Sequence, residues 1–181
     1  HEPVKSTKNP QKILQTGVPF TKKPVALQFD YKVKMSDRHN RIRATGFSKI
    51  TDVPGKDYPA VVLFLQKRWE DANGNVYAKR IGTIVNYFYN TTDWKNGATY
   101  NIMYGDITGR PEYKPHMMRL QVTENYTTNS KGESVPIHEV GWGDENDEPT
   151  HLYLQFASSH GGAYIGSPGN TLWIDNVKMV Y

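Results

Sequence analysis

The chain reads as an all-β protein, a β-sandwich of two antiparallel sheets. Three observations predict this. Short strand-like runs alternate with Gly, Pro and Asn punctuation along the whole length. No segment keeps a helical period for more than two turns. Aromatic residues are abundant at 12%, with 12 Tyr and 4 Trp, and such side chains pack well on a pleated surface. The 181 residues suit a single domain with a two-layer core, and no internal repeat divides them.

Residues 1–12 are polar and proline-bearing and are expected to be a loosely ordered arm. From Pro24 to Lys34, Val25, Leu27, Phe29, Tyr31 and Val33 alternate with Ala26, Gln28, Asp30 and Lys32, which predicts a strand with one buried face. Residues 35–59 form a long connection broken by Gly46, Pro54 and Gly55, with a short strand near Arg41 to Phe47. Ala60 to Trp69 is a nearly unbroken apolar run, as a central strand requires. Asn73-Gly74 supplies hairpin turn chemistry, so Val76 to Ile81 should fold back on that strand. Strand character continues over Thr83–Tyr89 and Ala98–Tyr104, and is expected over His116–Thr123. Residues 124–150 read as a long polar loop. His151 to Ser159 and Asn170 to Tyr181 then read as a hairpin-like pair around a Gly-rich loop, with the terminal strand inside a sheet.

Charge is uneven along the chain. Residues 1–50 carry 11 Lys/Arg against 3 Asp/Glu, and residues 51–181 carry 11 against 15. The excess is expected to be a solvated arm (Lys5, Lys8, Lys12) and strand-edge lysines that discourage aggregation (Lys22, Lys23, Lys32, Lys34). No recognition helix or aromatic-basic motif points to nucleic acid. The chain has no Cys, which removes disulfides, thiolate metal sites and cysteine nucleophiles. No membrane-spanning or signal segment is present, and His1 is not a natural start residue, so a mature product or an excised fragment is expected.

Sugar recognition needs a flat aromatic surface and a few polar groups that bond hydroxyls. The candidates are Arg68, Trp69 and Glu70, the stretch with Tyr87, Tyr89 and Asn90, and Trp142 between Gly141 and Gly143. If Phe88 is core, Tyr87 and Tyr89 form an exposed two-ring stripe; in the opposite register they are ordinary core. Trp142 reads either as the best loop ring or as a lid packed on a sheet edge. Trp94 follows a turn, and such a ring more often packs under the next strand. Trp173 is ambiguous, and the terminal strand is expected to hold the sandwich rather than touch a ligand. A glycosidase would need two carboxylates about 5–5.5 Å or 6.5–9.5 Å apart. Glu70, Glu112, Glu124, Glu139 and Asp144 are available, and no spacing marks a pair. The His residues lack metal-ligand spacing, no Ser occupies a nucleophile elbow, and adjacency alone does not make Ser159 and His160 a nucleophile and base.

Several segments together carry a resemblance. Gly17-Val18-Pro19-Phe20-Thr21 leads into the strand ending Asp30-Tyr31-Lys32-Val33. Ala60 to Leu65 follows a Pro/Gly connection, and Phe156-Ala157-Ser158-Ser159 leads through glycines to Leu172-Trp173-Ile174-Asp175-Asn176-Val177. In this order, over roughly residues 13–181, the chain resembles the putative carbohydrate metabolism domain family. That resemblance implies a jelly-roll sandwich similar to carbohydrate-binding modules and a polysaccharide or glycan partner. It also implies export to the periplasm or outer surface of a Gram-negative bacterium. Some members are named as glycoside hydrolases, and a structural or adhesive protein-binding module is the third reading. Relatives often follow an immunoglobulin-like domain, so such a domain, or a lipid anchor, is expected upstream of His1. In similar sandwiches an aspartate at the place of Asp175 sometimes ligates a structural calcium, which makes Asp175 the one metal candidate. A hydrogen bond at an Asp175-Asn176 bulge is the alternative, and no other cofactor is expected.

Overall fold

The structure is a computed structural model, and it describes residues 10–45, 48–118 and 125–181. It is all-β, with 51% of residues in strands and no helix of seven or more residues. The strands are β1 (Val18–Pro19), β2 (Ala26–Lys34), β3 (Arg41–Arg43), β4 (Thr51–Val53), β5 (Ala60–Glu70), β6 (Val76–Tyr87), β7 (Thr92–Asn101) and β8 (Met103–Tyr104), then β9 (Tyr126–Thr128), β10 (Ser134–Trp142), β11 (His151–Ala157), β12 (Ile165–Gly166) and β13 (Thr171–Val180). One sheet has the order β1-β11-β5-β6-β10-β9, with β8 also on β6. Two three-stranded sheets have the orders β13-β2-β7 and β12-β3-β4. The chain divides into two compact units, each drawn from three stretches of sequence.

Unit 1 comprises His1–Lys23, Leu63–Ile84 and Ile102–Leu154. Leu63, Leu65, Ile81 and Ile107 are fully buried in it, each worth about 1.5–3 kcal/mol relative to exposure. The Asn73-Gly74 turn closes β5 onto β6 as expected. Gly74 takes φ 89°, and a side chain there would also meet Asn129 at 2.7 Å. β6 pairs with β10 in parallel, so this sheet is not purely antiparallel.

Unit 1 also buries charge. The Arg80 side chain is fully buried, its guanidinium 3.7 Å from the Phe64 ring centroid and 5.4 Å from that of Trp142. It forms a two-pronged ion pair with Glu139 through Nε (3.1 Å) and Nη2, and its Nη1 donates to the carbonyl of Met118 at 2.7 Å. Gln66 donates to the same carboxylate at 2.6 Å.

Unit 2 comprises Pro24–Val62, Val85–Asn101 and Gln155–Tyr181. The alternation in β2 puts Leu27, Phe29 and Val33 wholly inside. Phe29 stacks on Tyr100 at 5.2 Å and meets Phe156 edge-on at 5.0 Å. β2 is flanked on both sides, by β13 and by β7.

Several expectations are corrected. The region 124–150 contains β9 and β10, not one long loop. Pro115–Met117 is a 3-10 turn rather than the start of a strand, and residues 119–123 of that expected strand lie outside the described residues. The expected arm lies outside them over residues 1–9. Pro10–Ile13 forms a 3-10 turn whose Lys12 carbonyl accepts from Ser134. The expected strand near Arg41 to Phe47 is confined to β3, with residues 46–47 outside the described set. β13 pairs with β2, not with β11, and is an edge strand rather than an interior one. Lys32 and Lys34 lie on the middle strand of their sheet, so they are not edge lysines. No described helix is long and apolar enough to cross a membrane.

Candidate functional site

The densest constellation of chemistry in unit 2 grows from one buried carboxylate. Asp57 ends the connection before β5, and its side chain is wholly shielded from solvent. Burying an ionised carboxylate is costly unless every lone pair is answered. Here Oδ1 accepts from the backbone N–H of Tyr58 and of His160, both at 2.9 Å, and lies 2.8 Å from His160 Nδ1. Oδ2 accepts from the Ser159 hydroxyl. Burial pushes this carboxyl up, but the bonds from His160 and Ser159 outweigh it and hold Asp57 below the usual carboxylate range. Asn170 ties in the backbone, donating to the Asp57 carbonyl at 3.1 Å while accepting from the Ser36 amide at 2.8 Å.

The same bonds fix a cluster of rings. His160 stacks on Tyr87 with centroids 4.3 Å apart and lies parallel to Tyr58 at 5.8 Å. Tyr89 meets Tyr58 edge-on at 4.7 Å and Tyr87 at 6.4 Å. Phe88 is buried, its amide bonded to the Pro59 carbonyl at 2.8 Å. The register question is thereby answered: Tyr87 and Tyr89 turn the other way, Tyr87 half-buried and Tyr89 47% exposed, with Asn90 exposed beside them. The loop carrying Ser159 and His160 reaches Asp57 because residue 161 is Gly. A Cβ there would come within 2.9 Å of Ile165 and 3.2 Å of Asp57 Oδ2. Tyr164 on this loop holds φ 64°, a conformation a side-chain-bearing residue adopts only when its surroundings enforce it.

Ser159 and His160 therefore both address Asp57, rather than each other. This is not the arrangement that activates a serine. Asp57 and Tyr58 carried no signal in the sequence, since they end a Pro/Gly-rich connection.

The other sequence candidates scatter. Trp69, in unit 1, is 43% exposed and stacks on Tyr77 at 5.8 Å, which in turn contacts His138 on β10 at 5.5 Å. Glu70 holds a neighbouring turn through the amide and hydroxyl of Ser130, at 2.9 and 2.6 Å, and these bonds hold its carboxyl low. Arg68 points inward, with Nε on Gln66 at 2.9 Å. Its Nη1 and Nη2 are buried with no hydrogen-bond partner among the described residues, and burial brings its guanidinium down to about 10 although Glu139 opposes the shift. Trp142 lies at the end of β10, beside Arg80, and not in a loop.

Asp175 lies on β13 directly opposite Asp30. Its Oδ1 accepts from the Asn176 amide at 2.8 Å, the local bond weighed above as the alternative to calcium. No group of three or more acidic or His residues suited to an ion occurs among the described residues. Asp30 and Asp175 are carboxylates that face each other across the strand pair. Asp30 is held low by Asn176 and by the Gly97 amide, the opposite of what an acid catalyst needs. Trp94, expected to pack under the next strand, is 48% exposed, and Trp173, which the sequence leaves ambiguous, is 40% exposed.

No protein family, curated protein or solved structure matches the chain.

Proposed function

We propose that the protein is a carbohydrate-recognition module that binds a glycan at the Tyr58–Tyr87–Tyr89–His160 cluster. One observation carries the reading: an exposed ring, Tyr89, on a cluster of part-buried rings held in place by a buried, hydrogen-bonded Asp57. A sugar offers an apolar ring face and a rim of hydroxyls. Tyr supplies an apolar body with a polar edge, and Asn90 adds an amide at the margin. Rings already fixed by bonds beneath them lose little freedom on binding, so more of the contact energy becomes affinity.

The finer features of the expectation belong to this proposal: a two-sheet jelly-roll sandwich, membership of the putative carbohydrate metabolism domain family, and export to the periplasm or outer surface. They rest on the resemblance of the Gly17–Thr21 entry and the Leu172–Val177 strand. Calcium at Asp175 has no further support.

Affinity-gel electrophoresis and a glycan array test the reading. Retarded migration in at least one polysaccharide gel is expected, and Tyr89→Ala should abolish it while leaving the melting temperature within a degree or two. A protein that ignores every glycan on the array, or a Tyr89→Ala variant that binds as the wild type does, would refute it.

A further inference from the structure

The outer face of the β13-β2-β7 sheet holds a second aromatic arrangement, unrelated to Asp57. Lys32 on β2 stands directly opposite Trp173 on β13, and its ammonium lies 5.5 Å from that ring's centroid. On the other flank the register slips between Tyr31 and Val33, which pair with Lys95 and Thr92. The slip sets Asp93 and Trp94 opposite Lys32, on the face it shares with Trp173. An indole, an ammonium and a second indole thus form a row across three strands, with both indoles at least 40% exposed. Strands lie about 4.8 Å apart, so the outer two are separated by about 9–10 Å. One step along β2 lies the Asp30/Asp175 pair with Asn176, and one step further lies Gln28, bonded to Thr99 at 2.7 Å and opposite Lys178.

We propose that this face is a second carbohydrate site, one that takes an extended chain of equatorially linked pyranoses running across the strands. Alternate sugars of such a ribbon present flat C–H faces at about the separation of the two strands, so each can rest on one indole. Lys32, between them, donates to the oxygens of the intervening sugar, and the Asp30, Asp175 and Asn176 row meets the outer hydroxyls. A protein partner fits less well. The centre of a protein interface is depleted of charge, whereas here every indole is bordered by Lys or Asp. A second copy adding a strand is opposed by the bulges in β7 and β13 and by Lys95, Asp93, Asp175 and Lys178 on those edges. The site shares no residue with the Tyr58–Tyr87–Tyr89–His160 cluster, and either can exist without the other.

The probes are cellohexaose and xylohexaose, which are extended, and maltohexaose, which curls. Titration calorimetry and tryptophan fluorescence should show saturable binding of an extended hexasaccharide and none of maltohexaose. Trp94→Ala and Trp173→Ala should each weaken it about tenfold or more, the ordinary loss when a central aromatic contact is removed. Lys32→Met should weaken it less, and Tyr89→Ala should leave it unchanged. Failure of both extended probes to bind would overturn the proposal, as would wild-type affinity in either Trp variant. So would a wild-type dimer in light scattering that Trp94→Ala converts to monomer, because the face would then be covered by a second copy. A Tyr89→Ala effect equal to that of the Trp variants would place the sugar at the other cluster and overturn it as well.

Discussion

Among the described residues each unit buries one carboxylate, but the two are answered differently. Glu139 in unit 1 is met by a full opposite charge, Arg80, which is itself roofed by Phe64 and Trp142. Asp57 in unit 2 is met mainly by dipoles, two amides and a hydroxyl, together with the His160 imidazole. The first arrangement seals charge away from water. The second leads outward, because its His stacks on rings that reach the surface. A sealed pair serves the fold, whereas an anchored ring cluster can serve a ligand.

Breaking the pairs separates these roles. Arg80→Met leaves Glu139 as an uncompensated buried charge and should cost about 3–5 kcal/mol in urea denaturation. The double variant Arg80→Met/Glu139→Leu should recover much of that loss, since a buried pair often does little better than apolar residues of similar size. If the double variant is as damaged as the single one, the pair is more than a compensated charge.

Asp57→Asn comes next. It removes the charge but keeps the size, and it leaves Ser159 and His160 facing a poorer acceptor, a loss of about 1–3 kcal/mol. Retention in glycan gels should fall even at temperatures where the variant remains folded, because the rings lose their anchor. Unchanged retention would separate the anchor from the binding.

Acid should act on the two units in different windows. In unit 1, burial and then the neighbouring Arg68 depress the pKa of His151. The folded state thus favours neutral His151. Its contribution is whole above the unfolded value of about 6.5 and is lost as pH falls from there through the folded value. Asp57 is depressed as well, so its contribution is whole above the unfolded value of about 3.9 and is lost only at lower pH. Melting temperature should therefore decline first as pH falls below about 6.5 and again below about pH 4. His151→Asn should remove the first decline alone.

The contrast also explains what could be read from the sequence. β2, β5 and the Asn73-Gly74 hairpin were legible because their signals are local: alternation, an apolar run, a turn dipeptide. β10 was not. Its inward positions hold Ile137 and then Glu139, and a buried Glu breaks the apolar pattern. Arg80 and Gln66, 59 and 73 residues away, make that Glu tolerable inside. Asp57 was hidden for the same reason, its partners lying 102 and 103 residues on. Trp173 was half legible. With Leu172 and Ile174 turned toward the sheet's inner side, period two already points the indole outward, but an apolar run around a Trp looks the same whichever side is packed.

The smallest effect on stability is the most informative about function. Tyr89 is nearly half exposed, and its contacts are the edges of two other rings. Tyr89→Ala should change unfolding free energy by about 0.5 kcal/mol or less, as at most surface positions. Trp69→Ala in unit 1 should behave alike, since that ring too is exposed and stacks on Tyr77. The two variants should part only in a glycan assay. Tyr89 stands on a cluster anchored from below by Asp57, whereas Trp69 lies on a cross-strand stack with no buried charge fixing it. If anchoring is what turns an exposed ring into a site, Tyr89→Ala loses binding and Trp69→Ala keeps it. Equal losses from both would mean that exposure alone, rather than the anchored carboxylate, selects the rings that touch sugar.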